Sequence, residues 1–206
     1  MGSCKDDTEP EPTEPKHHAF LAKNKITIAD IAGIPAGVVF DKVRAEIQGV
    51  DWEAVDVVEA SYTGGEMVLA LPSPIAAEKL IKAVDKDETG KYTNYGFWRA
   101  GIDNDKAMVA GLGDIFAYNA GVLVGRIYLT DWTGEGTKHD CSFAGYHYAD
   151  RSFSLYGSVG IYRYELSFAK GWNAYIDMNL TKNLTTRTTS IPEEMALVWR
   201  FESYVY

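Results

Sequence analysis

Large apolar and polar side chains alternate one for one along most of the chain. In Tyr162-Arg163-Tyr164-Glu165-Leu166-Ser167-Phe168 every second residue is large and apolar, and its neighbours are polar. Trp172, Ala174, Ile176, Met178 and Leu180 alternate with Asn173, Tyr175, Asp177 and Asn179, while Met195, Leu197, Trp199 and Phe201 are interleaved with Arg200 and Glu202. Successive side chains of a strand point to opposite faces, so a period of two predicts half-buried strands with one wet face. Further strands are expected over 25–29, 43–48, 55–61, 66–71, 108–118, 122–129, 141–148 and 153–159.

The connections are short and rich in glycine. Thr63-Gly64-Gly65, Asn119-Ala120-Gly121 and Ala169-Lys170-Gly171 each read as the turn of a hairpin. Many short strands joined by close turns predict an all-β, antiparallel sandwich of immunoglobulin- or transthyretin-like architecture. One segment departs from the pattern. Ser73-Pro74, followed by 75–84 with Glu78 and Lys82 four apart, predicts a short helix or helical turn over 74–84. The polar stretch 85–94 then divides an N-terminal lobe, 21–90, from a C-terminal lobe, 91–206, which holds ten of the thirteen tyrosines at or beyond Tyr118.

Residues 1–20 lack this pattern. Between Lys5 and Lys16 lie five acids, two lysines and prolines at 10, 12 and 15. Such a stretch buries too little apolar surface to offset its ordering entropy, and its prolines favour an extended stalk. Gly2-Ser3-Cys4 resembles the small-residue end of a bacterial lipoprotein signal. The acids after the cysteine resemble the export tag of Bacteroidetes-type surface lipoproteins. That resemblance implies thioether-linked acyl chains on Cys4, each buried methylene adding roughly 0.8 kcal/mol of membrane attachment. The other reading is an exposed tail with a chance cysteine.

The rest of the chain resembles a group of Bacteroidetes surface lipoproteins of uncharacterised function. The likeness rests on Lys42-Val43-Arg44-Ala45, on the run from Val58 to Pro72, on Leu166 to Asn173, and on Leu197-Val198-Trp199-Arg200-Phe201. Thr63 stands where that group usually has Asn. The resemblance implies a cell-surface, outer-membrane location and an all-β architecture, and no reaction.

A formal charge of -9 over 206 residues argues against nucleic acid, which requires a basic stripe, and against anionic headgroups held by charge. No run approaches 18 apolar residues, so the membrane is met only through the lipid. With Cys4 lipidated, Cys141 has no disulfide partner. Asn179 and Asn183 match the glycosylation pattern, a chance match in a bacterial chain.

Candidate chemistry is sparse. His139, Cys141 and His147 share one parity, but ~3.4 Å per residue puts Cys141 and His147 roughly 20 Å apart in a straight strand, too far for one ion. Asp103-Asn104-Asp105 lacks the glycine and glutamate of a calcium loop and reads as a turn. Glu193-Glu194 need not converge as glycosidase carboxylates do. The glycines at 111–113, 134–136 and 157–160 miss the spacings of phosphate loops and nucleophile elbows. No catalytic residue, metal ligand or cofactor is assigned. The exposed aromatics are the functional lead: Trp132 in a turn, Tyr146 and Tyr148 opposite an apolar stripe, and Tyr175 on a wet face. Rings with hydrogen-bonding tips suit a protein partner or stacked sugar. The expectation is a non-enzymatic, adhesin-like binding lipoprotein with an extracellular partner. Glycan capture and a hydrolase with scattered site residues are the alternatives.

Overall fold

The computed structural model describes residues 20–94, 96–134, 141–181 and 184–204. The segment expected to form a stalk, with Cys4, lies outside the described residues up to residue 19, as do His139, Asp140 and Asn183. The strands are β1 (Leu21–Ala22), β2 (Lys25–Ile28), β3 (Lys42–Gln48), β4 (Ala54–Ser61), β5 (Met67–Ala70), β6 (Ile81–Lys82), β7 (Gly101–Ile102) and β8 (Met108–Asn119). They continue with β9 (Val122–Thr130), β10 (Phe143–Ala149), β11 (Phe153–Val159), β12 (Tyr162–Phe168), β13 (Gly171–Thr181), β14 (Leu184–Thr188) and β15 (Val198–Ser203). The protein is all-β, with mostly antiparallel sheets in a sandwich-like arrangement and no closed barrel.

A small sheet, β1-β2-β5, packs on a large one in the order β4-β3-β8-β9-β10-β13-β14-β12-β11-β7, with β15 added on β9 and β6 on β8. The long strand β8 changes partners along one edge. Its first residues pair with β10, where Gly111 faces His147, and its last residues pair with β9. Between them β9 and β10 diverge around a cavity of about 340 Å³, lined in part by Gly113, Tyr146 and Trp199.

Pairing differs from expectation at two turns. Asn119-Ala120-Gly121 does close a hairpin, with Asn119 opposite Val122. Ala120 and Gly121 have φ of 50° and 82°, as a type I′ turn requires, and Asp41 accepts a 3.1 Å hydrogen bond from the Ala120 N–H. Thr63-Gly64-Gly65 instead carries the chain between sheets, because β5 pairs with β2. Ala169-Lys170-Gly171 leads to a strand that is no neighbour of β12: β14 lies between, parallel to β12 and antiparallel to β13. A turn sequence sets the local reversal, and long-range pairing decides which strands become neighbours.

The short helix or helical turn expected over 74–84 is present only as a single helical turn. One 3₁₀ turn, Ala77–Lys79, is followed by extended backbone, and Lys82 pairs with Asp85 rather than Glu78. Ile81 and Lys82 add to β8 opposite Val109 and Met108, and the Ala83 N–H donates to Ala107 O. Those ladder bonds, with Ile75, Leu80, Ile81, Ala83 and Val84 all buried, override the local helix signal.

Two apolar clusters result. The larger runs from Leu21 and Ile26 through Ile47, Ile115 and Ile176 to Phe201, drawing on both sides of position 90. The smaller gathers Trp98, Val109, Phe153, Leu155, Tyr164, Leu166 and Phe168. Strand β12 follows its expected alternation, with Tyr164, Leu166 and Phe168 buried between exposed neighbours. Trp172 and Trp199 are core residues, and their indole N–H groups donate to Pro72 O and Thr27 O at 2.8 and 3.0 Å.

Candidate functional site

Strands β10 and β13 have apolar cover on both faces. Tyr146, Tyr148 and Trp172 face the larger cluster, whereas His147 and Tyr175 face the rings beside the smaller one. Tyr146 and Tyr148 are therefore interior, at 4% and 3% exposure, rather than on a wet face. Burial pushes the Tyr146 phenol far above its ordinary range. Tyr175 is half-buried and stands edge-on to Trp98 at 5.6 Å. Trp132 is half-buried too: the Arg200 guanidinium lies 5.0 Å over its ring, and Arg200 Nε donates to its carbonyl at 3.0 Å. The four rings form no common surface, since their neighbours belong to different parts of the fold.

A different set of side chains does converge. By register, Tyr164 of β12, Arg187 of β14 and Asp177 of β13 lie side by side across three strands. Arg187 Nε stands 2.9 Å from Asp177 Oδ1, an ion pair in which both side chains are about one-fifth exposed. Their contact is ionic, its angle falling outside hydrogen-bond geometry. Burial works most strongly against the Arg187 charge, but Asp177 together with Tyr175 and Tyr164 offsets it and holds the guanidinium above its usual pKa. Burial also raises the Asp177 carboxyl, opposed by Arg187. The guanidinium lies 4.2 Å over Tyr162 and 5.0 Å from the Trp98 ring centre, close enough for cation–π attraction.

The opposite wall comes from distant chain. Asp51 and Trp52 both have left-handed backbone, φ 57° and 62°, a conformation unfavourable for residues with a Cβ. The turn is closed by a 3.0 Å bond from the Trp52 N–H to Gly49 O, and a Cβ at Gly49 would collide with Lys79 O. This backbone holds the Trp52 ring 45% exposed and 4.7 Å from Phe97. Asn94 ties the wall together: its carbonyl accepts from Trp52 Nε1 at 3.2 Å, and its side-chain oxygen from Arg99 at 2.6 Å.

Between these walls lies a groove of about 700 Å³, reaching the hairpin tip at Gly160-Ile161. Trp52, Phe97, Trp98, Tyr162 and Tyr164 supply its rings, Arg99 and Arg187 its charges, and among the described residues no carboxylate belongs to its lining. A wider hollow of about 1040 Å³ beside Trp172 has that single ring, only 8% exposed, and offers no comparable stacking surface.

Behind the groove lies an aromatic bed. Phe97 stands edge-on to His147 at 4.4 Å, and Trp98 is 4.9 Å from it. Neither His147 nitrogen has a hydrogen-bond partner among the described residues, nor has Trp98 Nε1. Burial, reinforced by Arg187, lowers the His147 pKa to about 3, so the ring is neutral. Among the described residues no three His, Cys, Asp or Glu side chains converge. Asp103 accepts from the Ser154 N–H of β11 at 2.7 Å, the turn that follows is closed by a 3.1 Å bond from the Ala107 N–H to Asn104 O, and Glu193 and Glu194 are exposed.

The sequence reading missed this groove. Phe97-Trp98-Arg99 lies just past the polar stretch read as a boundary, and two adjacent aromatics between Gly96 and Gly101 were a usable signal. Trp52 and Arg187 had no such signal, because their neighbours are brought by the fold. Compared with known proteins, the chain matches no family model, and no curated protein or solved structure shows significant similarity to it.

Proposed function

We propose that this chain is a cell-surface binding lipoprotein, anchored through Cys4, that captures an extracellular glycan in the groove between Trp52 and Tyr162. The observation that carries this reading is an exposed indole held by strained backbone over a line of further rings. Backbone strain persists only where surrounding structure enforces it, and it recurs at ligand sites. Sugar rings present C–H faces that stack on aromatic side chains, while the phenol, indole and guanidinium N–H and O–H groups serve the hydroxyls. The lining supplies stacking and donors rather than paired carboxylates, which favours binding over hydrolysis. The anchor rests on the lipoprotein-like residues around Cys4.

Adhesin-like contact with a protein is the second reading. It is favoured by the β8–β9 hairpin, whose tip exposes Val122 and Leu123 at 66% and 41%.

A glycan array probed with the full chain tests the first reading. Binding that disappears in Trp52→Ala, with unchanged melting, supports it. A full-affinity W52A protein, or no bound glycan, removes it. Val122→Asp with Leu123→Asp, assayed for attachment to host cells, tests the second. Alkyne-fatty-acid labelling in a bacterial host that is lost in Cys4→Ser tests the anchor.

A further inference from the structure

We infer that the glycan this groove selects is acidic, carrying a ring carboxylate as a uronic or sialic acid does. The inference rests on the glycan reading and adds to it the class of sugar. Its warrant is local charge. A chain with formal charge -9 repels anions on balance, yet among the described residues the groove lining holds two guanidinium groups and no carboxylate.

Both arginines are already held on one side, Arg99 by a hydrogen-bond acceptor and Arg187 by an ion pair. Asn94 Oδ1 accepts from Arg99 Nη2 at 2.6 Å, and Asp177 faces Arg187 Nε at 2.9 Å. A guanidinium carries five donors in a planar fork, so one held edge fixes the direction of the rest. Asp177 balances Arg187, which leaves the exposed Arg99 as the cation of the lining that no carboxylate among the described residues pairs. The nearby Asp85 is engaged by Lys82 and by the Thr93 hydroxyl, at 2.5 and 2.6 Å. A carboxylate on a stacked sugar would meet Arg99 in charge-assisted, geometrically fixed hydrogen bonds, whereas a neutral hydroxymethyl group would gain a weaker one. Trp52 then supplies affinity for any sugar, and Arg99 the preference for the acid.

The test uses matched probes that differ only in charge: galacturonate oligomers against their methyl esters, and sialyllactose against lactose. With the full chain, titration calorimetry should show at least one acidic probe bound on the order of tenfold tighter than its neutral partner, a preference that shrinks as salt rises. Arg99→Gln, at an exposed position that should not affect folding, should abolish the preference by weakening the acidic probe on the order of tenfold and the neutral one far less. Trp52→Ala should weaken both. Acid and ester bound equally, or a preference that survives in R99Q, overturns the inference and leaves the glycan reading standing. Dextran sulfate bound as tightly as the uronate would also overturn it, since the groove would then respond to charge alone. Failure to bind any of these sugars, combined with an empty glycan array, removes both readings.

Discussion

His147 occupies the space that a side chain at position 111 would need. The two residues face each other across β10 and β8, and a Cβ on Gly111 would lie 3.1 Å from His147 Nε2 and 2.7 Å from the Phe97 ring. Glycine is required here for the close approach of two rings, and not for an unusual backbone conformation.

Gly111→Ala is therefore expected to cost about 1–3 kcal/mol, as overpacking typically does. Because Phe97 must shift, and Phe97 supports Trp52, the variant should also bind more weakly at the groove than its lost stability explains. Urea denaturation and ligand titration on one sample would separate the effects. Gly37→Ala, with nothing within 4 Å but φ of 85°, should leave the groove unaffected.

The buried imidazole makes stability depend on pH. Its pKa is about 3 in the folded protein against 6.5 ordinarily, so between those values the unfolded chain binds the extra proton. Stability from this group is complete above pH 6.5 and falls on acidification, by up to about 1.4 kcal/mol per pH unit. Between pH 6.5 and about 5, above the carboxylate range, the slope should be clear in the wild type and flatter in His147→Phe. Equal slopes in chemical denaturation would show that His147 is not neutral in the native state.

Trp172→Ala and Trp199→Ala should each destabilise by about 3–5 kcal/mol. Each removes a core ring and leaves a carbonyl, Pro72 O or Thr27 O, without its indole donor. Replacement by Phe should recover part of the loss but not the hydrogen bond. Near-native melting of either alanine variant would contradict the packing described.

Tyr146→Ala and Tyr148→Ala should unfold the protein rather than select against a ligand, with a loss on the order of 3–5 kcal/mol for each. Trp132→Ala, at a half-buried turn, should cost clearly less, mainly through its contact with Arg200. Circular dichroism melts of the three variants would rank them, and a stable Y148A protein would refute the two-sided burial of β10.

The alternation of Tyr162 to Phe168 and of Trp172 to Ile176, together with Asn119-Ala120-Gly121, already determined an all-β fold, the burial of Trp172, Trp199 and Phe168, and the β8–β9 hairpin. Those features depend on neighbours one or two residues away, which is the range over which side-chain parity and turn chemistry act. Only the tertiary structure decided that β14 separates β12 from β13, that residues 81–82 join a sheet instead of a helix, and that β10 has no wet face. Parity says which side chains share a face and carries no information about what covers it, so Tyr146 and Tyr148 looked exposed. The groove is non-local in the same sense. Trp52, Phe97, Tyr162 and Arg187 come from four separate segments, and it is strand order together with the left-handed turn at Asp51-Trp52 that sets them around one space.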